Sequence, residues 1–215
     1  MQERRGWSIG ESKKVSVERK LAAILAADVV GFSQKIGADE AGVLEMMRVL
    51  RSEIVEPLIA AHGGRMFKVM GDGMLAEFPS TVWAVRAAID IQESLSAHNA
   101  AASPGRCLEL RLAVHQGDVA VEGGDLLGNA VNVASRLETL ATPGGICLSA
   151  RVYEDAAGNI ELDVEDIGEQ ELKNIARPVR VYRIHRRQVM VSRRATSEIG
   201  FSRMSACRVA PSSAG

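Results

Sequence analysis

Two strand-like runs, residues 65–70 (RMFKVM) and 74–78 (MLAEF), are separated only by Gly71-Asp72-Gly73. An Asp-Gly pair between two short apolar-rich runs is the strongest local signal for a tight antiparallel hairpin. That hairpin commits the chain to a sheet with antiparallel pairing, and the flanking segments have to pack on it. Upstream, residues 20–27 (KLAAILAA) form an apolar run ending at Asp28, the pattern of a buried strand. Gly31, Phe32 and Ser33 read as a turn. Ala38-Asp39-Glu40 reads as a helix start, with acids near the N-terminus. Val43, Met47, Leu50, Ile54 and Leu58 continue this helix at regular spacing until Gly63-Gly64.

Downstream, Pro79 precedes an alanine-rich helix through Val82, Val85, Ala88, Ile89 and Leu95, ending near Asn99. Leu108, Leu110, Leu112 and Val114 alternate with Glu109, Arg111 and Ala113, as in a strand with one buried face. Gln116-Gly117-Asp118 reads as a turn into residues 119–121, and Gly123-Gly124-Asp125 as another. A third helix follows through Val131, Ala134, Leu137 and Leu140, stopped by Pro143-Gly144-Gly145. Short strands are expected at residues 146–148, 162–167 and 179–184. This order predicts an α+β fold, a ferredoxin-like βαββαβ-type sheet with helices on one face. Residues 1–17 read as a flexible arm, 18–186 as one folded domain, and 187–215 as a disordered tail.

Composition excludes several classes. The formal net charge is −1, which disfavours a nucleic-acid partner. The three cysteines lack CxxC spacing, so neither a disulfide framework nor a zinc site is indicated. No apolar run is long enough for a bilayer and no signal-peptide core follows the N-terminal charges, so a cytoplasmic protein without direct membrane insertion is expected. Both ends lean basic, which leaves room for an unidentified regulator.

Asp28 and Asp72 each follow an apolar run and end at a turn. Brought together by strand pairing, they suit Mg²⁺ or Mn²⁺, hard cations that take oxygen ligands. Two such ions roughly 3.5–4 Å apart can clamp the attacking and leaving oxygens of an in-line displacement. Taken alone, Asp72 reads first as a turn residue, because Asp-Gly is a generic turn pair.

The runs at residues 26–33 (AADVVGFS), 67–78 (FKVMGDGMLAEF) and 124–138 (GDLLGNAVNVASRLE) resemble, in this order and spacing, the class III nucleotidyl cyclases. The resemblance implies an adenylate cyclase that converts ATP to 3′,5′-cyclic AMP and pyrophosphate. It implies two Mg²⁺ or Mn²⁺ ions held by Asp28 and Asp72, with the Val29 carbonyl as a further ligand. It implies that the backbone of Gly31, Phe32 and Ser33 contacts the phosphates. Lys68 and Asp125 match the purine-selecting pair, and Asn132 and Arg136 the transition-state pair. Lys173 matches a phosphate-binding lysine, with Arg177 as the competing candidate. Family members act as head-to-tail dimers, which implies a homodimer with sites shared between two copies. A catalytically silent, regulatory or nucleotide-sensing dimer is the rival reading.

Adenine offers an acceptor at N1 and a donor at its 6-amino group. A lysine donates and an aspartate accepts, so Lys68 and Asp125 complement adenine and mispair with guanine. Asn132 and Arg136 are four apart on a predicted helix and therefore share a face.

Overall fold

The computed structural model describes residues 18–103 and 105–184. The predicted arm at 1–17 and tail at 187–215 lie outside the described residues. The elements are β1 (Glu18–Val29), α1 (Phe32–Ala38), α2 (Glu40–Val49), α3 (Glu56–Ala61), β2 (Arg65–Met70), β3 (Gly73–Phe78), α4 (Thr81–Ala101), β4 (Leu110–Glu122), β5 (Asp125–Leu127), α5 (Asn129–Leu137), β6 (Ile146–Ser149), α6 (Ala150–Ala157), β7 (Val164–Gln170) and β8 (Val179–Ile184). A π-helical stretch, Leu50–Val55, joins α2 to α3, and a 3₁₀ turn, Glu138–Leu140, follows α5.

The eight strands form one mixed sheet in the order β2-β3-β1-β4-β6-β8-β7, with β5 paired to β4. β1 is central and pairs antiparallel with both β3 and β4. It is buried on both faces, which explains its nearly continuous apolar sequence. Side chains alternate across a strand, so β1 serves two cores. Ala23, Leu25, Ala27 and Val29 join the larger one, with Val85, Ala88 and Ile91 of α4 and Val152 of α6. Ala22, Ile24 and Ala26 join the smaller one, with Ala130 and Ala134 of α5.

The α+β class and the antiparallel centre agree with the sequence. The expectation of helices on one face needs amendment, because α5 packs on the face opposite α4. The crossover from β4 to the parallel β6 runs through α5. Its buried residues, Ala130, Val133, Ala134 and Leu137, give it an apolar stripe that must find a sheet face.

Other departures are local. The expected turn at Gln116-Gly117-Asp118 is extended strand, because β1 begins early enough to pair Ala22 with Gly117 and Leu21 with Asp118. A Cβ on Gly117 would come within 2.9 Å of the Ala130 Cβ, so the glycine lets α5 lie close against β4. Gly31 is the left-handed start of α1 (φ 69°), and Phe32 and Ser33 already belong to that helix. The β2–β3 turn is Gly71-Asp72, since Met70 pairs with Gly73. α6 is too short to register in the sequence pattern, although Val152 and Ala156 anchor it.

Candidate active site

Asp28 lies near the C-terminal end of β1, directly opposite Arg111 on β4. It belongs to the same alternation as Ile24 and Ala26, and so faces the α5 side of the sheet. The Arg111 guanidinium donates to the Asp28 carboxylate. Asp72 enters from the β2–β3 turn beside it. Burial raises the Asp72 pKa above the ordinary carboxylate range, and the hydrogen-bonded Asp28 carboxyl raises it further. Two carboxylates brought this close repel each other when both ionise.

The 3₁₀ turn after α5 adds a third acid. Glu138 is pushed up to about 8, first by burial and then by Asp28, with Asp72 contributing and Arg111 and Arg136 opposing. Sequence reasoning gave Arg111 and Glu138 no role. Only the β1–β4 register brings Arg111 to Asp28, and only the packing of α5 brings Glu138 over both. A lone acid in the otherwise apolar-and-small stretch after Leu137 was the available signal.

A pair of hard oxygen donors in an acidic recess fits Mg²⁺ or Mn²⁺. Among the described residues no group of three or more His, Cys, Asp or Glu is arranged to hold an ion, so a site here rests on two carboxylates plus backbone oxygen. Val29 is buried at the end of β1, and α1 begins three residues later. The first amides of a helix have no intrahelical acceptor. Those of Phe32 and Ser33 are therefore available at the same end of the sheet.

A second cluster lies along β2 and the β4–β5 turn. Lys68 Nζ donates to Asp125 Oδ2 at 3.0 Å, across 57 residues of sequence. The two side chains are 33 % and 37 % exposed, so the pair is accessible. Asn132 and Arg136 sit one turn apart on the exposed side of α5, away from its buried stripe. Lys173 and Arg177 are both exposed on the β7–β8 loop. That loop packs through Leu172 and Ile175 against Val133 and Leu137 of α5.

A sheet of this topology, with adjoining carboxylates where the central strand meets the hairpin tip, defines a nucleotidyl cyclase catalytic domain. The family described as adenylate and guanylate cyclase catalytic domain matches residues 15–186, and the chain belongs to it. A Rhizobium meliloti (strain 1021) protein named "Putative adenylate cyclase 3" is 44 % identical over 169 residues, 79 % of this chain and 29 % of that protein. The adenylate cyclase of Streptomyces coelicolor is 30 % identical over 142 residues, 65 % of this chain and 35 % of that protein. The chain thus spans about a third of the length of these relatives. Among solved structures, an adenylate/guanylate cyclase/hydrolase from Silicibacter pomeroyi is 39 % identical with a TM-score of 0.73, covering 78 % of this chain and 98 % of that one. The adenylyl cyclase CyaB from P. aeruginosa shares the fold at 22 % identity and a TM-score of 0.67, covering 80 % of this chain and 96 % of that one.

Proposed function

We propose that this domain, residues 18–186, is an adenylate cyclase that converts ATP to 3′,5′-cyclic AMP and pyrophosphate. The observation that carries this reading is the Lys68–Asp125 contact at 3.0 Å. A donor and an acceptor held side by side on an accessible surface complement the N1 and 6-amino edge of adenine, and guanine would leave both mispaired.

Asp28 and Asp72, with the Val29 carbonyl, hold two Mg²⁺ or Mn²⁺ ions. Bound there, the ions supply neutralisation of the triphosphate and activation of the ribose 3′-hydroxyl. The amides of Gly31, Phe32 and Ser33 bind phosphate oxygens at the start of α1. Arg111, beside Asp28, offers a guanidinium to the same oxygens. Asn132 hydrogen-bonds the ribose and aims its 3′-oxygen at the α-phosphorus. Arg136 meets the charge that develops on the α-phosphate as pyrophosphate leaves. Lys173 is assigned to the outer phosphates.

Two copies, arranged head to tail, complete each site. One supplies Asp28 and Asp72; the other supplies Lys68, Asp125, Asn132 and Arg136. Val69, Met70 and Leu127 support this arrangement. They are large apolar side chains left 43 %, 56 % and 42 % exposed beside the base-reading pair, as expected of a surface that another protein covers. Among the described residues no helix is long and apolar enough to cross a membrane. Cys107 and Cys147 are free thiols, which fits a reducing cytoplasm.

The test is to incubate the purified protein with ATP or GTP and Mn²⁺ or Mg²⁺ and to identify the product. Cyclic AMP is expected. Cyclic GMP as the main product would overturn the base assignment, and no product with either nucleotide would favour a silent dimer.

A further inference from the structure

Asp125 occupies an unsteady position. It opens a three-residue strand, β5, whose sheet partner is β4. The turn before it is Gly123-Gly124, with Glu122 paired to Asp125 and both glycines at positive φ (58° and 87°). Such a two-glycine turn has the geometry of a type I′ hairpin, but glycine has the greatest backbone freedom to lose. Lys68 cannot immobilise this ribbon alone, because its ammonium sits on four rotatable bonds.

Arg65 makes a contact that does immobilise it. Three residues before Lys68 on β2, and across a bulge between Met66 and Lys68, its Nη1 donates to the Gly124 carbonyl at 2.9 Å. That carbonyl belongs to the planar peptide unit that ends on the Asp125 nitrogen, so holding it orients the start of Asp125. The rest of the guanidinium is itself held. Nε and Nη2 donate to Glu77 Oε1 at 2.9 and 2.6 Å. Lys20 of β1 occupies Glu77 Oε2 at 2.5 Å. The Glu77 side chain is only 12 % exposed. Its burial works to raise its pKa, but the hydrogen bonds from Lys20 and Arg65 outweigh this and keep it ionised below its usual range. Side chains from three strands therefore meet at Glu77, and the arginine it holds grips the turn carrying Asp125.

We propose that Arg65, oriented by Glu77, is a positioning residue for purine selection: it fixes the Gly124–Asp125 peptide so that the Asp125 carboxylate stays in register with Lys68. The inference rests on the assignment of Lys68 and Asp125 as the base-reading pair. The Arg65 side chain is 49 % exposed, and Lys20 still pairs with the Glu77 carboxylate when Arg65 is removed, so its removal should leave the fold intact.

The experiment measures kcat/KM with ATP and with GTP for the full chain and for Arg65→Ala, Arg65→Lys, Asp125→Ala and the double variant Arg65→Ala/Asp125→Ala, with thermal melts alongside. Asp125→Ala should collapse the ATP/GTP preference. Arg65→Ala should reduce it by roughly tenfold, because a misplaced hydrogen-bonding group discriminates poorly. The double variant should discriminate no worse than Asp125→Ala alone, since Arg65 acts through Asp125. Arg65→Lys keeps the charge but cannot bridge Glu77 and Gly124 together, and it should restore KM for ATP better than it restores the preference. A preference unchanged in Arg65→Ala, or fully restored by Arg65→Lys, overturns the inference while leaving the base-reading pair standing. A preference unchanged in Asp125→Ala overturns both. Should Arg65→Ala fail to fold, Glu77→Gln, which loosens the same arginine, takes its place with the same expected loss.

Discussion

The α4 face and the α5 face of the sheet are built from alternate residues of the same strands, yet they serve opposite ends. Under α4 lie Leu25, Val29, Leu110, Leu112, Ile146 and Leu148, sealed by α3, α4 and α6 into one continuous core. A polar side chain buried there, Gln92 of α4, is satisfied by the Leu110 and Gly145 carbonyls at 3.0 Å each. The other face carries Lys20, Glu77, Asp28 and Arg111 beside a smaller core, and one nine-residue helix covers part of it. The contrast shows how one sheet separates stability from chemistry. The well-covered face holds the fold, and the under-covered face can carry ionised groups because solvent still reaches it.

This division can be broken in four ways. The largest expected effect is that Asp72→Ala lowers cyclic AMP formation by roughly 10³-fold. Its melting temperature, measured without metal, should hold or rise, because the Asp72 carboxylate is disfavoured in its ionised form beside Asp28. Normal turnover would remove the metal assignment. Next, Asp28→Ala and Arg136→Ala should each be inactive but regain activity when mixed under subunit exchange. Half the dimers would then be mixed, each with one intact site of two, giving about a quarter of wild-type activity. No recovery, with exchange demonstrated, excludes a shared site.

Leu112→Ala reverses the profile. Leu112 is fully buried under α4, so truncation should cost about 2–5 kcal/mol in denaturant unfolding. Activity per folded molecule should change little. A loss of activity without a loss of stability would mean that the faces are not separable.

The smallest effect is the pH response of the metal-free protein. The folded-state pKa of Glu138 lies at about 8 against an ordinary 4.5, so the folded state holds a proton that the unfolded chain releases. The associated stability is full below pH 4.5 and is lost as pH rises through 8. It is on the order of a few kcal/mol. Glu138→Gln should flatten this slope in melts across that window. An unchanged slope would place its origin elsewhere, with Asp72 the next candidate.

Much of this was legible in the sequence for a definite reason. The β2–β3 hairpin, the buried β1 run, the alternation around Leu110–Val114 and the helical spacing of α4 are local patterns, and local sterics and hydrophobic periodicity suffice to fix them. The candidate residues were legible too, because each lies within a short motif next to a turn. The extended path through Gln116-Gly117-Asp118 was not. Glycine and aspartate prefer turns, and only pairing with residues 18–22 of β1 overrides that preference.

The sequence by itself determined most of the element types, the α+β class and which side chains were chemically suited to metal, base and phosphate. Tertiary structure alone decided the rest. It placed α5 on the opposite face from α4 and set Arg111 across from Asp28. It brought Glu138 over the two aspartates and tied Arg65 to a turn 59 residues away. These are long-range contacts, selected by the burial of a helix stripe and by strand register, and neither quantity is encoded in any short stretch of chain.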